Sequence, residues 1–185
     1  MSAQDRMPPM PDASQTPEQR AARAELISGP RGELAGPFVP LLRSPELMRR
    51  TQKLGEYLRF QSALPDRVKE LAILVVARWW GQAYEWSFHL PLALKAGVDR
   101  AAAEAIAEGR RPERLTDEEA AAYDLLSELH ETRAVSDPVY SGALTAFGEA
   151  GVIDLVGFAG YYGLLAMVMN TARTPAPEAE IPLKV

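Results

Sequence analysis

The chain has 185 residues, 47% of them hydrophobic and 24% charged, with a net charge of −5, which is long enough for one domain with a sizeable core. Lys+Arg number 20 against 25 Asp+Glu, with no dense basic run, so there is little electrostatic basis for holding a phosphate backbone and nucleic acid is not an expected partner. The absence of cysteine removes disulfides, thiolate metal sites, iron–sulfur clusters and thiol redox chemistry.

The N-terminal run MSAQDRMPPMPDASQ has no apolar h-region, so no secretory signal is expected and the default address is cytoplasmic. Its Pro, Ser, Gln and Asp content predicts a flexible arm over residues 1–15. Thr16-Pro17-Glu18-Gln19 has the form of a capping box with Pro at the first helical position, and Gly29-Pro30 closes that helix. Ser44-Pro45 opens a second helix to about Ala63, and Pro65-Asp66 a third, in which Val68, Leu71, Ala72, Val75 and Val76 recur at helical spacing until Gly81. A fourth runs from about Gln82 to Gly97. Asp99 caps a short alanine-rich helix ending at Gly109, and Thr116-x-x-Glu119 starts one that reaches about Arg133. Asp137-Pro138 opens a helix closed near Gly151, and the last runs from about Val152 to Ala172. The most apolar stretch, Leu155–Met169, carries three glycines and two tyrosines and falls short of the ~20 residues that span a bilayer, so a buried helix is expected and no membrane partner. From Thr174 the chain carries Pro175, Pro177 and Pro182 without helical period, which predicts an extended tail over 174–185 laid on a neighbouring subunit. No hairpin dipeptide separates alternating apolar runs, so residues 16–173 read as one all-α domain of packed helices.

With two histidines in the chain, His89 and His130, groups for acid–base work near neutral pH are few. Glu85 and His89 stand four apart on the fourth helix, so both project from one face, where a carboxylate orients an imidazole and raises its pKa. Pro91 cannot donate to the Ser87 carbonyl, which predicts a bend beside His89. Trp79, Trp80, Tyr84, Trp86 and Phe88 surround the pair in sequence, as lining of a partly dry site or as ordinary core. The same spacing also serves as a surface stabiliser on exposed helices. His130, in Ser127-Glu128-Leu129-His130-Glu131, reads as a solvated helix-end residue.

The run Arg67-x-x-Glu70-Leu-Ala-Ile-Leu-Val-Val-Ala-Arg78, followed by Tyr84-Glu85-Trp86-x-x-His89-x-x-Leu-Ala-x-x-Ala-Gly97, resembles the carboxymuconolactone decarboxylase family, related to the alkylhydroperoxidase D peroxidases. The similarity covers roughly residues 34–172, and Gly160-Tyr161-Tyr162 to Asn170 is typical of one branch. The resemblance implies an all-α, alkylhydroperoxidase D-like helical bundle assembled as a homotrimer or homohexamer, with active sites close to subunit contacts. In the peroxidase branch a glutamate, a Cys-x-x-Cys pair and a histidine form a proton relay. Glu70 and His89 match the glutamate and histidine, while Gln82 and Glu85 stand where the cysteines would be, so thiol peroxidase activity is not expected. The decarboxylase branch fits better and implies a lyase acting on a small-molecule carboxylic acid, a lactone or an aromatic-derived acid, without a cofactor. In that reading His89 gives a proton to carbon, Glu85 or Glu70 fixes its tautomer, Arg78 holds a substrate carboxylate, and Trp80, Tyr84 and Trp86 line the site.

Three alternatives stay open on the residues themselves. Arg78 serves equally as a helix-end or intersubunit ion pair, and Glu70 as a structural partner of Lys69, Arg67 or Arg78. Glu70, Glu85 and His89 together suit a divalent ion, although no motif demands a metal. The fold without catalysis also serves as a ligand-binding oligomer.

Overall fold

Four of the helix starts among the described residues follow side chains that satisfy otherwise orphaned N–H groups. Thr16 Oγ1 accepts from the Gln19 amide at 3.2 Å while Gln19 Oε1 accepts from the Thr16 amide at 2.9 Å, and the Thr116–Glu119 pair repeats this reciprocal box. Asp99 accepts from the Ala101 amide at 2.7 Å. The computed structural model describes residues 4–184. These form α1 (Pro17–Ser28), α2 (Phe38–Leu41), α3 (Pro45–Phe60), α4 (Asp66–Trp79), α5 (Ala83–Ala96), α6 (Arg100–Ala107), α7 (Asp117–Thr132) and α8 (Asp137–Ala172), with no strand among the described residues.

The unbroken apolar run from Leu71 to Ala77 makes α4 the axis of the molecule, with packing against α5, α6, α7 and α8. The three-residue link Trp80–Gln82, with Gly81 at φ 58°, turns the chain back so that α4 and α5 lie antiparallel. Helix α5 continues through Pro91 to Ala96.

Some details depart from the sequence pattern. Helix α3 ends at Phe60 rather than Ala63, because the residue before Pro65 disfavours helical backbone and the chain must unwind ahead of it. The single turn α2, which follows Pro37 and contains Pro40, is too short to show a period. The break in α8 falls at Gly148 (φ 66°, ψ 175°), three residues before the expected Gly151. Gly148 has open space around it, whereas Gly151 is buried and stays helical. Merged across that break, α8 is 36 residues long, with an 18-residue window of mean hydropathy 1.7 that is 50% buried, so by length and composition it is apolar enough to span a bilayer. It is also not wholly covered: Ile153 (69%), Val156 (39%) and Met167 (44%) face outward, as do Leu54 and Tyr57 of the neighbouring α3.

Both terminal segments, from residue 4 and up to residue 184, are tied to this body. Of the stretch expected as a flexible arm, residues 1–3 lie outside the described residues; the rest is held by the Arg6 amide donating to the Ala172 carbonyl at 2.7 Å and by Arg43 donating to the Pro8 carbonyl at 2.7 Å. The tail, of which residue 185 lies outside the described residues, rests on its own chain, with Ser87 Oγ donating to the Pro177 carbonyl at 2.8 Å and the Lys184 amide to the Ala107 carbonyl at 3.2 Å.

Candidate active site

Gln82 begins the site by capping α5. Its Oε1 accepts from the Tyr84 amide at 2.6 Å, and its Nε2 donates to Asn170 Oδ1 of α8 at 2.8 Å, so the helix start is clamped between two elements. With α5 fixed against α4, His89 Nδ1 meets Glu70 Oε2 at 2.7 Å and His89 Nε2 meets Glu85 Oε2 at 3.4 Å. The imidazole is 2% exposed and Glu85 4% exposed. The Tyr162 ring stands edge-on to His89 at 5.3 Å and the Phe88 ring at 5.1 Å, which keeps water from the sides of the imidazole.

Loss of solvent sets the protonation pattern. Burial pushes the Glu85 carboxyl up to about 8, against which Arg59 and Arg31 pull it down. Burial also holds the His89 imidazole below its usual range, opposed by its hydrogen bond to Glu70. At neutral pH the line is therefore a protonated Glu85 facing the bare Nε2 of a neutral His89, whose Nδ1–H is directed at Glu70. A proton shifted from Glu85 to Nε2 needs no atom to leave its place. The second oxygen, Glu85 Oε1, is buried without a hydrogen-bond partner among the described residues, which leaves it free to engage a bound molecule. The two carboxylates occupy opposite ring nitrogens, an arrangement suited to passing a proton and not to holding one ion among all three.

Glu85 and His89 form part of the wall of a pocket of about 230 Å³, completed by the 30–38 segment, α3 and α8. Two arginines enter it. Arg59 Nη2 lies 3.9 Å from Glu70 Oε1. Arg31 Nη2 donates to the Tyr161 hydroxyl at 2.9 Å, its guanidinium carbon lies 4.6 Å from the centre of the Phe38 ring, and its Nε is buried without a partner among the described residues. Room for Arg31 and Tyr161 is made by Gly55, where a Cβ would lie 2.0 Å from the tyrosine oxygen and 2.5 Å from Arg31 Nη2. Gly36, at φ +54°, receives the edge of Tyr84, with Cε1 only 2.6 Å from where a Cβ would stand. Burial pushes the Tyr161 hydroxyl up to about 12, so it donates and accepts without ionising near neutral pH.

Of the residues singled out in the sequence, Glu70, Glu85 and His89 come together and Tyr84 lines the same pocket. Three others go elsewhere. Trp86 is fully buried outside the pocket, its indole N–H donating to the Ile181 carbonyl at 2.7 Å, so it holds the tail down. Trp80 is 40% exposed beyond the end of α4, with its carbonyl accepting from Asn170 Nδ2 at 2.9 Å. Arg78 lies against Gly109 in a separate pocket and does not reach the relay. The arginines of the site are Arg31 and Arg59, which sequence reasoning missed. Arg31 sits in Gly29-Pro30-Arg31-Gly32, a turn with no period to aim it, and is joined to Tyr161 across 130 residues of chain.

Residues 45–128, which carry Arg59, Glu70, Glu85 and His89, match the model of the carboxymuconolactone decarboxylase family. No curated protein matches the chain in sequence. Among solved structures, the core of an uncharacterised peroxidase-related protein of the alkylhydroperoxidase AhpD type from Ralstonia eutropha JMP134 superposes with a TM-score of 0.75 at 14% identity, covering 95% of this chain and 94% of that one. A protein of unknown function from Agrobacterium tumefaciens, described as a putative antioxidant defence protein AhpD, superposes with a TM-score of 0.65 at 18% identity, covering 75% of this chain and 95% of that one. These likenesses establish an AhpD-like helical fold.

Proposed function

Residues 45–128 belong to the carboxymuconolactone decarboxylase family on an AhpD-like fold, and from that premise we propose that the protein is a cofactor-independent acid–base lyase that decarboxylates a small carboxylated substrate, a lactone or an aromatic-derived acid. The observation that carries this reading is a buried Glu85–His89–Glu70 line opening on a pocket that also holds two arginines. As the carbon–carbon bond to the carboxylate breaks, its electron pair moves into an enolate and carbon dioxide leaves. Arg31 and Arg59 follow the negative charge from carboxylate to enolate oxygen in a site with little water. The enolate carbon then takes a proton. Glu85, protonated near neutrality and carrying an unpartnered oxygen, is the donor and is left as the carboxylate; as product leaves, a solvent proton taken up at the bare Nε2 of His89 is passed to that carboxylate, which restores the resting state, and Glu70 holds the tautomer through Nδ1. The donor role thus moves from His89 to Glu85, with His89 as its immediate supplier.

A panel of carboxylated lactones incubated in deuterium oxide tests this, with carbon dioxide release and deuterium on the product carbon as readouts. Release that disappears in Glu85→Gln is expected; compounds that bind in the pocket and are never decarboxylated would overturn the reading. Thiol-dependent peroxide reduction should stay at the buffer rate, since the chain has no cysteine. The outward Leu54, Tyr57, Ile153, Val156 and Met167 of α3 and α8 support a homo-oligomer, trimeric or hexameric, joined through this face. Light scattering at micromolar concentration should report a trimer or larger, and a well-folded monomer refutes the assembly.

A further inference from the structure

Two turns beyond Glu70, at the other end of α4, a second pocket of about 180 Å³ opens toward α6 and α7 and shares no residue with the first. We propose that it is a binding site for a small monoanionic aromatic carboxylate, with Arg78 taking the carboxylate and the Trp79–His130 pair taking the ring.

Arg78 is the reason to expect an anion. Arg23, Arg49, Arg50, Arg59, Arg67, Arg100, Arg110 and Arg111 each have a carboxylate within ion-pair distance. Arg78 has no ion pair among the described residues, and its buried Nε–H finds no acceptor. Its position is nevertheless built. The guanidinium lies on Gly109, where a Cβ would be 2.7 Å from Nη2, and the φ of +74° there disfavours any side chain. A guanidinium seated on bare backbone with its fork unpaired matches the planar, bidentate geometry of a carboxylate.

The remaining walls select what carries that carboxylate. Trp79 and His130 stack with centroids 4.2 Å apart and planes 4° from parallel, giving a flat aromatic flank. Val75, Ile106 and Tyr123 add apolar surface. The volume is below the roughly 300 Å³ at which drug-sized pockets begin, which suits a single ring. Glu131 lines the exposed side without a cation of its own, and Arg111 is engaged by both oxygens of Asp124 at 2.8 and 2.9 Å. With one free cation and one carboxylate at the rim among the described residues, a dianion such as phosphate is disfavoured against a monoanion.

Because His89 and His130 are the only histidines, each pocket carries one imidazole as its own reporter. Benzoate is titrated into the full chain while the two imidazole Cε1–H resonances are followed by NMR, with His89→Gln used to assign them. The His130 resonance should move saturably at millimolar benzoate, and should still do so in His89→Gln. In Arg78→Met the response should weaken by roughly tenfold or more, and in Arg78→Lys, which keeps the charge and loses the fork, by several-fold. If Arg78→Met does not fold, Arg78→Lys and Gly109→Ala, which displaces the guanidinium, carry the test. A His130 resonance that benzoate leaves in place, or moves identically in these variants, overturns the proposal. Inorganic phosphate binding as tightly as benzoate overturns the assignment to an aromatic carboxylate.

Discussion

His89 and His130 are the same side chain in two regions of one fold, and both are held below the usual imidazole range mainly by loss of solvent. His89 is enclosed at mid-helix between Glu70 and Glu85, so each ring nitrogen faces a carboxyl oxygen. His130 sits in the last turn of α7, exposed on one side and stacked on Trp79 on the other, with no carboxylate on either nitrogen among the described residues. The direction of a pKa shift is therefore common to both, and the chemistry is not. What distinguishes a proton conductor from a packed ring is the pair of partners placed on its nitrogens.

The largest expected difference between the two regions is catalytic. His89→Gln keeps size and polarity but removes the group that reloads Glu85, so turnover of a responsive carboxylactone should fall by roughly 10²–10⁴-fold. His130→Gln should leave that turnover unchanged. Steady-state rates of both variants decide the matter, and equal losses would erase the contrast.

Next in size is the pH dependence of stability. The folded chain holds Glu85 at about 8 against an ordinary 4.5, so its contribution is full below about pH 4.5 and is lost as pH rises through about 8. His89 is shifted the other way, so its contribution is present above its ordinary 6.5 and is lost as pH falls through the lower folded value. Glu85→Gln should flatten the alkaline side, making the variant more stable than the parent above pH 8 by on the order of 2–5 kcal/mol. Urea midpoints between pH 4 and 10 measure this, and a parent curve that does not fall toward high pH contradicts a buried, protonated Glu85.

A smaller effect separates binding from proton transfer. Gly55→Ala would place a Cβ against Tyr161 and Arg31. It should raise KM for a carboxylated substrate about tenfold through displacement of Arg31, with kcat less affected because the relay on α4 and α5 is not touched. A change confined to kcat would give Arg31 a different role. The smallest effect is expected at Trp86, buried outside the pocket. Trp86→Phe removes the hydrogen bond to the Ile181 carbonyl and leaves a ring in place. About 1–2 kcal/mol of stability should be lost with turnover per folded molecule retained, read from melting temperature and rate on one preparation.

Much of this protein is legible in its amino-acid sequence. The capping boxes at Thr16 and Thr116, the cap at Asp99 and the apolar period around Val68–Val76 depend on neighbours within four residues, so local spacing suffices to place the helices. The Glu85–His89 pair is legible for the same reason, being a contact within one turn of one helix. Glu70 is matched only by resemblance, since its contact with His89 spans 19 residues and depends on how α4 and α5 close on each other. Periodicity also says which residues share a stripe but not which stripe meets a pocket. Trp86 and Arg78 therefore look like site residues in one dimension, and packing turns them to the tail and to Gly109. Arg31 meets the relay pocket only because the 30–38 turn, α3 and α8 converge there, with Gly55 leaving the space. Local hydrogen bonding and helical period thus determined the elements and half of the relay, while long-range packing decided which charges face the substrate, because a side chain's exposure belongs to the elements that cover it and not to its own segment.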